Sequence, residues 1–191
     1  MQQAEELDLI ERAQGGNNQA FRELVETHQR FVYSVAMRFT GDIAEAEDIT
    51  QEVFVKLWKN LGKYREGVKL TTWLYKIIAN HCFDYLKSAS KRQQLKSVDM
   101  ESAQIADAAS QESHLDDREL ISVITVLAKQ LTPKQQTIFV LRDLEGLSID
   151  EVCEISGMSP GTMKSNLYYA RVKIREDLTK YYKETAKLLP S

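Results

Sequence analysis

Between residues 63 and 92 the chain interleaves two kinds of side chain that act together on nucleic acid. Tyr64, Trp73, Tyr75, Phe83 and Tyr85 supply rings, and Lys63, Arg65, Lys69, Lys76, Lys87, Lys91 and Arg92 supply positive charge. Rings stack on unpaired bases whatever their identity, and cations among them hold the phosphate backbone, which is what an opened single strand requires of a protein. Asn80 adds an amide able to hydrogen-bond a base edge. Taken singly, Trp73, Ile77 and Phe83 would also suit a hydrophobic core. The mixture is what points to nucleic acid.

A second constellation, Ser148 to Arg175, suits duplex DNA. Ser148 followed by Glu151 is a capping-box pattern opening a short helix through Ile149, Val152, Cys153 and Ile155. Gly157 can take the left-handed conformation that ends it. Ser159 then caps a second helix with Pro160 at its first position, where no amide donor is needed. Met163, Leu167, Ala170 and Ile174 fall on one face of this helix, and Lys164, Ser165, Tyr168 and Arg171 fall elsewhere, towards solvent. Four basic residues and no acid lie between Pro160 and Arg175. The result is a helix-turn-helix suited to the major groove, with a plain helical hairpin as the competing interpretation.

The elements that must carry these residues are helical throughout. Only three prolines occur in 191 residues, and the first is Pro133. Gly15–Gly16 ends a first short helix, and Asn18 is placed to cap a second bearing Phe21, Leu24, Val25, Phe31, Val32 and Val35. Asp42 with Glu45 starts a third, whose buried stripe is Ile49, Val53, Phe54, Leu57, Trp58 and Leu61. A loop from Gly62 to Leu70 precedes a fourth helix from about Thr71 to Ser90. Periodicity is then lost from Gln93 to Ser113, a polar stretch that reads as a linker. Helices resume near Asp117, and Thr132–Pro133 with Gln135 caps the one before the helix-turn-helix. The expected fold is all-α: two small helical domains, residues 1–96 and 118–191, joined by a flexible acidic linker, residues 97–117.

Composition narrows the function. The net charge is −3 with 28% charged residues, which argues against an indiscriminate nucleic-acid coat. The charge is segregated, however. Asp42 to Glu52 holds five acids and no base, Lys76 to Lys96 five bases and one acid, and Ser97 to Leu120 seven acids against Arg118. Such blocks suggest DNA on some faces and another partner, or the chain's own basic surface, on others. Cys82 and Cys153 sit inside apolar helical patterns and read as reduced core residues. No cluster has metal spacing and no nucleophile–base pair stands out, so neither an enzyme nor a metal, cofactor or small-molecule substrate is expected. Met1 to Asp8 is acidic without an apolar core, and no run is long enough to span a bilayer, so the expected location is cytoplasmic.

Three motifs occur in order: AEDITQEVF (46–54), TWLYKIIAN (72–80) with DYL (84–86), and GTMKS (161–165) with AR (170–171). Together they resemble the extracytoplasmic-function (ECF) group of bacterial sigma-70-family factors, over about residues 5 to 183 and least in the linker. The resemblance implies an alternative sigma factor that binds core RNA polymerase and directs promoter-specific transcription initiation, with no catalysis of its own. Its first domain would bind core polymerase and melt the minus-10 element, and its second would read the minus-35 element as duplex. On this resemblance Asp48, Gln51 and Glu52 grip the core enzyme's largest subunit. Tyr64 and Arg65 match the loop that receives a flipped base, Asn80 lines that pocket, and Trp73 edges the melted segment. Lys164, Ser165 and Tyr168 match positions of the recognition helix that face bases and phosphates, with Arg171 beside them. Two departures stand out, Asn166 and Tyr169, where the family commonly carries cations, so the usual minus-35 preference is not inherited. An anti-sigma factor is a further implied partner. The competing reading is a stand-alone helix-turn-helix regulator, which would have no need of the aromatic–basic stretch.

Overall fold

The computed structural model describes residues 3–65, 67, 69–96 and 117–188, and all regular structure among them is helical. Helices α1 (Gln3–Gln14), α2 (Asn18–Thr40), α3 (Ile43–Asn60) and α4 (Leu70–Lys96) form the first unit, with a 3-10 turn at Leu61–Lys63 between α3 and α4. Helices α5 (Asp117–Ala128), α6 (Pro133–Phe139), α7 (Ile149–Ser156) and α8 (Pro160–Leu188) form the second, with a π turn at Val140–Leu144 after α6. The expected linker lies outside the described residues except at Asp117.

Local chemistry explains most boundaries. The α2 cap is Asn17 rather than Asn18: its side-chain oxygen accepts from the amides of Gln19 and Ala20, so Asn18 is already helical. Asp42 accepts from the Glu45 amide at the start of α3. Between them Gly41, at φ 55°, ends α2 in the left-handed region and donates its amide to the Met37 carbonyl. α4 runs past the expected Ser90 to Lys96, because residues 91–96 contain good helix formers and neither Gly nor Pro. Thr132 and Ser148 both form reciprocal capping boxes, with Gln135 and Glu151. The π turn had no sequence signal; it widens the end of α6 so that the Glu145 amide reaches the Val140 carbonyl, five residues back.

The core shows where the two units meet. Leu24, Val32, Phe39, Ile49, Leu57, Leu74 and Ile78 are buried among α2, α3 and α4, and this same cluster continues into Ile138, Leu141, Val152, Ile155 and Met163 of the second unit. A smaller cluster of Val123, Leu127, Leu131, Phe139, Ala170 and Ile174 ties α5 and α6 to α8. Trp58 departs from the expected buried stripe. It is 40% exposed, at the stripe's edge, with its ring edge-on to Phe21 at 4.7 Å.

Polar contacts reinforce the seam. Arg38 of α2 pairs with Glu145 and donates to the Leu144 carbonyl at 2.9 Å, and Tyr75 of α4 donates to the other Glu145 oxygen at 2.9 Å. The Gln136 amide donates to the Phe39 carbonyl at 2.8 Å, and Lys129 to the Gly41 carbonyl at 3.4 Å. The Glu145 side chain is only 6% exposed, so its charge is compensated inside the seam.

Candidate nucleic-acid interface

The first candidate surface is a stripe on α4. Leu74, Ile78 and Cys82 are buried at spacings of four, and burial pushes the Cys82 thiol up to about 12. That fixes the helix rotation and turns Trp73, Lys76, Asn80, Phe83 and Lys87 outward on one face, spaced three or four apart. Lys76 and Asn80 are exposed, Trp73 and Phe83 are half-buried, and the Lys87 ammonium lies 5.4 Å above the Phe83 ring. Trp73 and Asn80, two turns apart, thus share a face, joined by Lys76, whose placement periodicity could have flagged. Tyr75 lies on the other side. It faces Glu145, and burial first, then that carboxylate, raises its phenol pKa, so it stays protonated.

The turn before α4 completes this surface. Leu61 is buried and anchors the 3-10 turn, whose closing bond runs from the Tyr64 amide to the Leu61 carbonyl at 3.0 Å. The Tyr64 ring then lies 5.5 Å from Trp73, tilted by 55°. Burial, followed by the charge of Glu6, raises the Tyr64 pKa, so its hydroxyl remains a donor. Arg65 beside it is exposed. The fold therefore brings Tyr64, Arg65, Trp73 and Asn80 to one side of the first unit, as rings edged by cations.

α3 presents Asp48, Gln51 and Glu52 to solvent, one turn apart. The exposed Val55, at 43%, extends the same row and lies outside the expected buried stripe.

In the second unit the helix-turn-helix forms as its caps require. Gly157 takes φ 68°, and the Ser159 hydroxyl accepts from the Thr162 amide at 3.3 Å. Met163, Leu167, Ala170 and Ile174 are buried, which leaves Lys164, Ser165 and Tyr168 outward. Tyr169 joins them: Tyr168 and Tyr169 are 64% and 60% exposed, with rings 5.5 Å apart. Asn166 is turned back, its amide donating to the Thr162 carbonyl at 2.8 Å. Arg171 stands at the edge of this face and is clasped by Asp143 of the π turn through two bonds of 2.8 and 2.6 Å. Those bonds raise its pKa and orient its guanidinium. Nothing in the sequence singled out Asp143. Among the described residues no cluster of His, Cys, Asp and Glu could hold a metal ion, and no helix is long and apolar enough to cross a membrane.

Residues 24–92 match the family model of Sigma-70 region 2, and residues 123–174 that of Sigma-70 region 4. The chain is 30% identical to the RNA polymerase sigma-H factor of Pseudomonas aeruginosa, over 95% of this chain and 98% of that protein. It belongs to the sigma-70 family. Its group within the family is the ECF sigma factors: the ECF RNA polymerase sigma-E factor of Escherichia coli is also 30% identical, over 87% of this chain and 90% of that one. The fold agrees with a solved sigma factor, RpoE of Bartonella quintana in complex with the anti-sigma factor NepR. That match has TM-score 0.61 and 23% identity, and covers 83% of this chain and 96% of the other. As an ECF sigma factor, the chain acts with core RNA polymerase and promoter DNA in transcription initiation.

Proposed function

We propose that the two units divide promoter recognition, with residues 1–96 opening the minus-10 element and residues 118–191 reading the minus-35 element. The observation that carries this is the α4 surface, where the Tyr64 ring lies against Trp73 and Asn80 stands on the same face. Rings of this kind offer stacking worth about 1–3 kcal/mol per base, enough to offset much of the cost of unstacking one from the duplex. Arg65 and Lys76 hold the adjacent phosphates. Asp48, Gln51 and Glu52 on α3 give an acidic, amide-bearing row that fits a basic helical surface on core polymerase. On α8, Lys164, Ser165 and Tyr168 enter the major groove, and Arg171, oriented by Asp143, reaches the flanking backbone.

Two elements named for positions 35 and 10 are about 25 base pairs apart, or roughly 85 Å of B-form helix. A chain of 191 residues packed as one body is roughly 40 Å across. The seam joined by Arg38, Glu145 and Tyr75 therefore parts when both elements are held. The phosphodiester chemistry belongs to the polymerase, this chain is non-catalytic, and its place of work is the cytoplasm. An anti-sigma factor is a further partner on this reading, as the Bartonella protein has one. Replacing Tyr64 or Trp73 by Ala tests the assignment: permanganate reactivity of minus-10 thymines falls while binding to core polymerase is kept. Normal opening by a folded Trp73→Ala protein would remove that residue from the interface.

A further inference from the structure

α1 precedes the residues matched to region 2, which begin at 24, so that match gives it no work to do. It is nevertheless firmly seated. Leu9, Ile10 and Ala13 are buried in the core shared with α2, α3 and α4, and Glu6 meets the buried His28 ring at 2.9 Å. Its last residue, Gln14, reaches across to the turn that carries Tyr64. The Gln14 side-chain amide donates to the Leu61 carbonyl at 2.9 Å and to the Tyr64 carbonyl at 3.4 Å. These carbonyls stand at the two ends of the 3-10 turn, and the Leu61 oxygen also accepts the turn's own closing bond from the Tyr64 amide. One amide group, carried by a separate and anchored helix, therefore fixes both ends of the turn. A 3-10 turn this short has poor hydrogen-bond geometry by itself, so the outside clamp matters to its shape.

We propose that Gln14 is a positioning residue for promoter opening: it holds the Leu61–Tyr64 turn so that the Tyr64 ring stays against Trp73, ready for an unstacked base. The inference rests on the assignment of Tyr64 and Trp73 to the opened strand. Pre-setting a receiving surface removes an ordering cost from the step in which the base arrives. The effect of Gln14 therefore falls on opening and not on the duplex contacts that precede it.

The test uses full-length Gln14→Met, which keeps the side chain's length and neutrality but has no donor. It is assembled with core polymerase on a minus-10/minus-35 promoter beside Tyr64→Ala. Closed-complex affinity and the opening rate are measured separately, with thermal denaturation of each free protein. The expected result is opening slowed about three- to tenfold, the size of one lost hydrogen bond, with closed-complex affinity unchanged and the denaturation temperature lowered by only about 2–4 °C. Unslowed opening by Gln14→Met alongside slowed opening by Tyr64→Ala would overturn the positioning role and leave the opened-strand assignment standing. Unslowed opening by Tyr64→Ala would overturn both. A larger fall in denaturation temperature, with a fall in closed-complex affinity that accounts for the slower opening, would reduce Gln14 to a structural cap.

Discussion

Lys164, Ser165 and Tyr168 lie within about one turn of α8 and point away from its buried side, yet their chemistries predict different signatures. Lys164 is a flexible point charge, and Lys164→Ala is expected to weaken binding to all promoters and lower the salt slope by about one unit. Ser165→Ala and Tyr168→Ala are expected to change the ranking of minus-35 variants, by about 1–3 kcal/mol where a base contact is lost. Asn166 is already bonded to the Thr162 carbonyl, so Asn166→Ala should leave that ranking alone. Transcription from a set of minus-35 variants at several salt concentrations separates these cases. His81 offers a second prediction at this scale. Its Nδ1 lies 2.5 Å from the Lys56 ammonium, and burial first, then Lys56, lowers its pKa from the usual 6.5. The unfolded chain therefore takes up this proton at higher pH than the folded one. The stability linked to His81 is present above the usual value and is lost as pH falls from there through the folded pKa. Denaturant midpoints compared at neutral and mildly acid pH should fall less for His81→Gln than for the unaltered chain.

At the scale of elements, the helix-turn-helix depends on caps that can be removed singly. The Ser148 hydroxyl accepts from the Glu151 amide at 3.2 Å, and the Ser148 amide donates to the Glu151 carboxylate at 2.8 Å. Bonds from Ser148 hold the Glu151 pKa below its usual range. Ser148→Ala is expected to cost about 1 kcal/mol, seen as a lower denaturant midpoint and weaker minus-35 binding with α4-dependent opening intact. This motif was legible in the sequence because everything that builds it is local: two caps, a left-handed glycine, and an apolar stripe of period 3.6. The outward row on α3 was legible for the same reason, although the exposed Trp58, expected in the buried stripe, shows that residue type alone misplaces the border of a stripe. Contacts between distant parts of the chain left no such trace. Gln14 meets Leu61 across 47 residues and Arg38 meets Glu145 across 107, and the Asp143 clasp on Arg171 depends on a π turn that no residue pattern announced.

For the whole molecule, the sequence suggests two tethered bodies, whereas the structure packs them through α4 against α6 and α7, with one core running across the seam. Arg38→Ala leaves the nearly buried Glu145 with Tyr75 as its remaining donor across the seam among the described residues, and losing one partner of such a pair costs more than the pair contributed. Small-angle scattering should therefore give Arg38→Ala a larger radius of gyration than the unaltered chain, and an identical radius would show that apolar packing alone keeps the seam closed. The central claim, that one unit opens a promoter element which the other helps to locate, is tested most directly by transcription reconstituted from core polymerase and this chain. The account predicts transcripts from a single start site, permanganate-reactive thymines at the minus-10 element, and loss of both when either element is scrambled. It would be contradicted by transcription no greater than that of core alone, with thymines unreactive, while the free chain still binds duplex DNA.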